Sequence, residues 1–198
     1  ALYPVAAAMD TAISGLARGS PQAFLDFLEH ERGHDYLIVQ RLLCRGLLAA
    51  AQTHVSAGLR FLREDPRRLV LGSYDDEYAD TCALISALAP QLDERQAEAL
   101  EAAVLEWDRY GPGGAGLPAE ARFQASKWER RHRLRLLAAF PLDRLSARTR
   151  GLVVAEMTVF PDHGEAGVHR IQTGWVRSPM SAQQMGRARD EDILNLFA

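Results

Sequence analysis

One long helical run constrains the fold of this chain more than any other feature. Residues 35–65 read DYLIVQRLLCRGLLAAAQTHVSAGLRFLRED, and their apolar side chains recur at the three- and four-residue spacing of a helix with one buried face. The positions that share this face are Leu37, Gln40, Cys44, Leu47 and Leu48. The run is longer than most globular helices, so we expect a division at Gly46 or around Gln52-Thr53. Asp65-Pro66 should end the unit.

Prolines and capping residues mark the ends of the other helices. Serine or aspartate before a helical pattern acts as an N-cap, proline suits the first helical position, and a later proline stops the helix. Asp93 with Gln96 also has the spacing of a capping box. The residues that bound the predicted helices are Ser20-Pro21, Tyr74, Pro90, Asp93, Pro118, Phe140, Pro141, Ser146 and Pro161.

These boundaries predict an all-α fold of roughly eight to ten helices joined by short linkers. Residues 153–160, VVAEMTVF, have the β-branched content of a strand, but no partner strand is visible nearby. Helix pairs of about 35–45 residues follow one another, which favours stacked antiparallel pairs in an α-solenoid of the HEAT or TPR type. The repeats are too degenerate to align, so an irregular helical bundle is the alternative.

Charge and cysteine content exclude some classes of function. The 23 basic and 26 acidic residues leave a formal charge of −3, which provides no global attraction to nucleic acid or to an anionic membrane. Cys44 and Cys82 are the only cysteines and form no C-x-x-C pair, so we expect reduced thiols in a cytoplasmic protein. No apolar run reaches the length of a membrane-spanning helix.

The organisation of the chain predicts one helical-repeat segment over residues 1–198. The sequence starts with Ala and stops at DEDILNLFA, where an apolar helical face has just begun, so we expect a segment of a longer polypeptide. Residues 111–117 form a glycine-rich loop, and residues 162–180 form an irregular loop region with several glycines. Arginine replaces lysine almost everywhere, which together with the Ala and Leu content indicates a GC-rich bacterial coding background.

His30-Glu31-Arg32-Gly33-His34 matches the H-E-x-x-H pattern. On a helix, this pattern places two imidazoles one turn apart, beside a carboxylate that can activate a zinc-bound water. A third ligand is needed, but the usual extension would require histidine at the position of Gln40. The other common arrangement supplies a glutamate about twenty residues downstream, where this sequence offers only His54. A zinc-dependent hydrolase that uses this motif is therefore an alternative, and our primary prediction contains no catalytic residue, metal ligand or cofactor.

The residues around this motif favour a helix end instead. Ligand helices in such enzymes are packed inside the protein, whereas Glu29, Arg32 and Asp35 describe a solvated surface. We predict that one helix closes at His30-Glu31 and that Gly33 allows the chain to turn. Asp35 should then cap the following helix.

Residues 127–135, KWERRHRLR, combine six basic side chains, counting His132, with one tryptophan. Such a stretch can bind a protein, or it can bind nucleic acid or another anion through charge and aromatic stacking. It can also be a solvated helix face with its leucines turned inward. Glutamate in place of Arg130, Arg131 and Arg133 is expected to weaken partner binding and to leave the fold intact. The candidate partner-binding residues are Lys127, Trp128, Arg130, Arg131, Arg133 and, in the irregular loop, Trp175.

Several phrases of the sequence resemble a known protein class. These are LRFLREDPRRLVLGS followed by YADTCALISALAP, then ALEAAVLEWDRY, ERRHRLRLLAAFP, and GWVRSPMS with DEDILNLF. In this order they are similar to the helical region downstream of the nucleotide-binding module in large bacterial STAND-type (NACHT-like) NTPases, some of which are antiviral sensors. The family's phosphate-binding pattern G-x-x-x-x-G-K-[ST] is not present. The resemblance therefore implies a non-catalytic helical-repeat part, with ATP bound elsewhere in the parent chain.

The leading hypothesis is a non-catalytic interaction or sensor scaffold. Stacked helices present a broad surface to a protein partner or to neighbouring domains of the same chain, and this role needs no cofactor and no membrane. The two alternatives are zinc-dependent hydrolysis through the H-E-x-x-H motif and nucleic-acid or other anion binding through residues 127–135.

Overall fold

Eight α-helices and no strand make up the part of the chain that the structure, a computed structural model, describes: residues 4–73, 76–107 and 119–164. These residues fall within a single unit, residues 1–168. The helices are α1 Pro4–Gly19, α2 Pro21–Glu31, α3 Leu37–Ala49, α4 Val55–Glu64, α5 Ala79–Leu88, α6 Glu94–Glu106, α7 Ala119–Leu137 and α8 Ala147–Val159. Single 3-10 turns cover Pro66–Leu69, Ala89–Gln91 and Leu142–Arg144. The all-α prediction is confirmed.

The long run over residues 35–65 divides into α3 and α4. The division lies at the turn between Ala49 and Val55, which includes Gln52-Thr53, and Gly46 lies inside α3. Gly46 is needed for packing rather than for a break, because a Cβ there would lie 2.4 Å from Cε2 of the buried Phe24 ring. The glycine lets the phenyl ring of α2 lie directly against the backbone of α3.

Capping signals located several helix ends correctly. The Asp93 side chain accepts a hydrogen bond from the Gln96 amide while the Gln96 side chain bonds back, so α6 opens with the predicted capping box. Ser146 caps α8 by accepting from the Thr149 amide. Ser20 precedes α2 as predicted, but its side chain makes no capping hydrogen bond.

Two details of the predicted helices were wrong. Helix α5 starts at Ala79, and residues 76–78 before it are not helical, so the predicted start at Tyr74 is too early. Helical spacing predicts Leu37 on the buried face of α3, but Leu37 is 60% exposed and lies beside the exposed Tyr36 and Ile38. Leu37 opens the helix, and helical periodicity identifies which face is apolar without indicating where along the axis the neighbouring helices stop covering it.

The packing order brings odd-numbered helices together: α1 lies against α3, α3 against α5, and α5 against α7. Consecutive helices also pack, as in α1 with α2, α3 with α4, and α7 with α8, and α4 lies against α6. The arrangement as a solenoid of stacked pairs stays a prediction. None of the helices in the described ranges has the length and apolarity needed to cross a membrane.

One apolar core connects these helices. It contains the fully buried side chains Phe24, Leu28, Leu43, Leu47, Leu62, Leu69, Leu71, Tyr78, Leu84, Ile85, Leu88 and Leu100. Leu134 in the basic stretch and Leu136 and Leu137 directly after it turn inward and extend this core along α7. The predicted loop at 111–117 and residues 165–180 of the predicted irregular region lie outside the described residues.

Candidate functional site

The H-E-x-x-H motif lies at a helix end, as predicted. Helix α2 stops at Glu31, and the amide of Arg32 closes the last turn on the carbonyl oxygen of Leu28. The chain turns at Arg32 and Gly33, and His34 lies beyond the helix, its amide bonded to Glu31 at 3.0 Å. A zinc site of this type needs both imidazoles on one helix face. Here the motif spans the helix end, so its histidines do not share a face of one helix.

Two buried polar side chains hold this turn in place. The Gln40 amide group donates to the carbonyl oxygens of His34, at 2.7 Å, and Arg32, at 3.2 Å. The buried guanidinium of Arg68 donates to the same Arg32 oxygen at 2.6 Å and to the Gln40 side-chain oxygen at 2.9 Å. Gln40 was assigned to an apolar face, and its polar group is accounted for by these bonds.

The two imidazoles of the motif both interact with Glu31. The Nε2 atom of His34 lies 3.2 Å from one carboxylate oxygen, and that of His30 lies 3.7 Å from the other. The His30 side chain is 80% exposed. His54 is buried elsewhere, against the Phe24 ring and the Ala17 carbonyl. Among the described residues, no group of three or more His, Cys, Asp and Glu side chains is arranged to hold a metal ion.

Asp35 does not cap α3, contrary to the prediction. The N-cap residue is Tyr36, and an N-cap side chain must reach the amides two or three positions ahead, so Asp35 lies one residue too early. Its carboxylate instead pairs with Arg67 at 2.9 Å. The neighbouring Glu29 likewise pairs with arginine, at 2.8 Å from Arg32. The charged surface predicted here is present, and its charges are paired.

A cavity of about 580 Å³ lies between α2 and the start of α4. Its polar walls are already paired with one another: Gln22 donates to Asp26 at 2.8 Å, and Arg60 forms an ion pair with Glu29. This cavity is therefore a weaker candidate than a smaller one on α7.

The arginines of the basic stretch on α7 have partners within the chain. Arg130 forms a two-pronged bond to the Glu156 carboxylate on α8, at 2.8 and 3.2 Å. Arg131 donates to both the carbonyl and the carboxylate of Asp162, each at 3.0 Å. Arg133 donates to the carbonyl of Trp107 at 3.2 Å, and Arg135 pairs with Asp76.

Lys127 differs from these arginines. It is exposed, and among the residues that the structure describes it has no hydrogen-bond or ion-pair partner. The charge of the stretch is therefore largely compensated inside the protein, and the ammonium group of Lys127 is left to solvent. An uncompensated surface cation is available to an anionic partner at little desolvation cost.

Beside Lys127 lies a cleft of about 210 Å³ between α7 and the turn that follows α8, which we call the Trp128 cleft. Its lining residues are Lys127, Trp128, Arg131, Val159, Phe160 and Asp162. Trp128 is 47% exposed, and its indole stacks on the His132 ring at a centroid distance of 5.8 Å. His132 in turn stacks on the buried Tyr78 at 5.0 Å. The half-exposed indole is thus supported by a ring stack that reaches the core.

Of the predicted partner-binding residues, the cleft brings together Lys127, Trp128 and Arg131. Arg130 and Arg133 bond to neighbouring helices instead, and Trp175 lies outside the described residues. Sequence reasoning missed the opposite wall, residues 159–162. The sequence feature that could have indicated this wall is the helix stop at Pro161, which places an apolar helix end next to a polar turn.

Comparisons with protein-family models, with curated proteins and with solved structures found no match to this chain.

Proposed function

We propose that this chain is a non-catalytic interaction module, and that the Trp128 cleft contacts a protein partner or a neighbouring domain of its own parent chain. The observation that carries the proposal is the half-exposed Trp128 indole, held by the His132 stack beside a preformed cleft. Tryptophan, like tyrosine and arginine, is enriched at the energetic centres of protein interfaces, and it buries a large surface there.

The charges of α7 favour a protein partner over nucleic acid. Affinity for nucleic acid comes mainly from several cations that neutralise phosphates. In this stretch the four arginines have bonding partners inside the chain, and Asp162 adds a carboxylate to the cleft itself. One lysine without a partner among the described residues is a weak electrostatic attraction for a polyanion, but it is sufficient for a single carboxylate on a protein.

The wider setting is part of the same proposal. We infer a bacterial, cytoplasmic protein in which this helical-repeat segment lies outside the nucleotide-binding module of a STAND-type ATPase. The phrases shared with that family and the all-α fold support this setting. In it, the Trp128 cleft would face a ligand protein or another domain, and ATP would be handled elsewhere in the parent chain.

A peptide-display selection tests the cleft directly. A random peptide library is selected on the immobilised 198-residue chain and on its Trp128→Ala and Phe123→Ala variants. Phe123 is a matched control, because it is a 68% exposed aromatic residue on the same helix and is not part of the cleft lining. Peptides enriched on the wild type should lose about 30-fold in affinity with Trp128→Ala, the usual effect of truncating an interface centre.

The Phe123→Ala variant should bind these peptides as the wild type does. Circular dichroism of each variant checks that the fold is retained. Enrichment that survives Trp128→Ala, or no enrichment on a folded wild type, would contradict the proposed role of the cleft.

A further inference from the structure

We infer that the Trp128 cleft recognises a short peptide segment in which an apolar side chain lies next to an aspartate or glutamate. The apolar side chain would fill the space between Trp128 and Phe160, and the carboxylate would pair with Lys127. This inference rests on the proposed function and goes further by naming the chemistry of the partner.

The size of the cleft limits its occupant. Sites for drug-sized ligands and cofactors usually measure about 300–1,000 Å³, whereas this cleft measures about 210 Å³. A volume of this size suits one or two side chains of an extended segment better than a nucleotide. Its apolar walls come from Trp128, Val159 and Phe160, and Val159 is 57% exposed at the rim. These surfaces gain free energy by covering an aliphatic or aromatic side chain.

The charges around the cleft indicate that the peptide carries an acidic residue beside its apolar side chain. Lys127, Arg131 and Asp162 all line the cleft, but Arg131 and Asp162 bond to each other at 3.0 Å. The pair is nearly neutral, so Lys127 supplies the net positive charge. A monovalent carboxylate balances this charge one to one, whereas a phosphate would carry more negative charge than Lys127 can balance. The charges therefore favour an acidic peptide.

The walls of the cleft are held in place before any partner binds. Arg130 bonds to Glu156 and lies over the Phe160 ring at 5.4 Å from its centroid. On the opposite side, the guanidinium of Arg131 lies 5.8 Å from the centroid of the Trp128 ring. Side chains that are already ordered lose little entropy on binding, so even a small cleft can give useful affinity.

A charge-reversal experiment tests the inference. The display selection is repeated on the wild type, on Lys127→Glu, and on Arg122→Glu, which reverses an exposed charge on the same helix outside the cleft lining. The wild type and Arg122→Glu should enrich peptides with Asp or Glu beside an apolar residue. Lys127→Glu should enrich Lys or Arg at that place, because the rim then carries the opposite charge.

Fluorescence anisotropy with labelled forms of one enriched peptide gives the magnitude. Lys127→Glu should weaken binding of the acidic peptide by about fivefold to tenfold, since reversal replaces a surface attraction by a repulsion. It should strengthen binding of the same peptide carrying Lys in place of its acidic residue. Added salt should reduce both effects.

The possible outcomes separate this inference from the proposed function. Enriched peptides that require Trp128 but show no preference for Asp or Glu would overturn this inference. So would an affinity that is unchanged by Lys127→Glu. Either result would leave the proposed interaction module in place. If no peptide selected on the wild type depends on Trp128 for binding, both the inference and the proposed function are overturned. If oligothymidylate binds more tightly than every selected peptide, and this binding requires Trp128, the partner of the cleft is nucleic acid and not an acidic peptide.

Discussion

Glu101 on α6 anchors the start of α8, and its removal is the sharpest test of how the last described helices hold together. Its buried carboxylate accepts hydrogen bonds from the Ser146 amide at 2.8 Å, the Ser146 hydroxyl at 2.6 Å and the Thr149 hydroxyl at 2.5 Å. These groups lie at the N-terminal end of α8, where a negative charge is favourable. Glu101→Ala removes this carboxylate and leaves the donor groups of Ser146 and Thr149 without their acceptor.

The expected loss follows from those bonds. A hydrogen bond to a charged group contributes about 1.5–3 kcal/mol, and a buried donor left unsatisfied costs about 1–3 kcal/mol. Thr149 is buried and cannot regain a partner from water, whereas Ser146 is partly exposed and can. We therefore expect Glu101→Ala to lower the free energy of unfolding by about 3 kcal/mol. For a chain of this length, that corresponds to a drop in Tm of about 6–12 °C.

The charge of Glu101 also makes the effect depend on pH. Burial alone would raise the pKa of this carboxyl, but the bonds from Ser146 and Thr149 outweigh it and hold the pKa below its usual value. A lowered pKa in the folded state means that the stabilisation is fully present above the unfolded pKa of about 4.3 and is lost as the pH falls through the folded pKa. The difference between wild type and Glu101→Ala should therefore be largest near pH 7 and shrink in acid.

Urea denaturation followed by circular dichroism measures both effects. Glu98→Ala is the matched control, because Glu98 is an exposed residue on the same helix, and its loss should change stability by less than about 0.5 kcal/mol. A Glu101→Ala midpoint equal to that of the control would refute the anchoring role. A difference that stays constant from pH 7 to pH 3 would refute the part assigned to the charge.

Three further predictions concern the core. Gly46→Ala should destabilise the chain by about 1–3 kcal/mol, because the added methyl meets a buried ring. Among the described residues, nothing lies within 4 Å of the corresponding position at Gly15, so Gly15→Ala should stabilise α1 by up to about 1 kcal/mol. Thermal melts in which both substitutions shift Tm in the same direction would contradict this. Arg68→Ala should cost about 3 kcal/mol in urea denaturation because it releases the turn of the H-E-x-x-H motif, and a neutral result would disprove that clamp. Burial raises the pKa of Cys44 well beyond its usual range and that of Cys82 to about 11. Both thiols should therefore resist Ellman's reagent at pH 8 until urea unfolds the chain. Rapid labelling of the native chain would contradict this.

The features that sequence reasoning predicted correctly depend on nearby residues. The Asp93–Gln96 capping box and the Ser146 cap involve groups three residues apart, so the local sequence contains both partners. The break at the H-E-x-x-H motif was equally local, since charged neighbours and Gly33 were enough to predict it. Helix ends are decided within one turn, which explains why the all-α fold and several of its boundaries could be predicted.

The features that it missed depend on distant residues. Arg135 pairs with Asp76 across 59 positions, and Arg130 bonds to Glu156 across 26, so no local pattern identifies these partners. Leu37 is exposed because no neighbouring helix in the described part of the chain packs over the start of α3, and where other helices end is not encoded in the local sequence. The far wall of the Trp128 cleft comes from the end of α8 and therefore also required the tertiary structure.

These distant partners change how the basic stretch must be tested. Charge reversal at Arg130, Arg131 and Arg133 together was expected to leave the fold intact, but each of them bonds to Glu156, Asp162 or the end of α6. Glutamate at the first two positions would face an existing carboxylate, so loss of stability would accompany any loss of binding. Lys127 has no such bond among the described residues, and Trp128 contributes half of its surface to solvent. Substitutions at these two positions therefore separate recognition from folding.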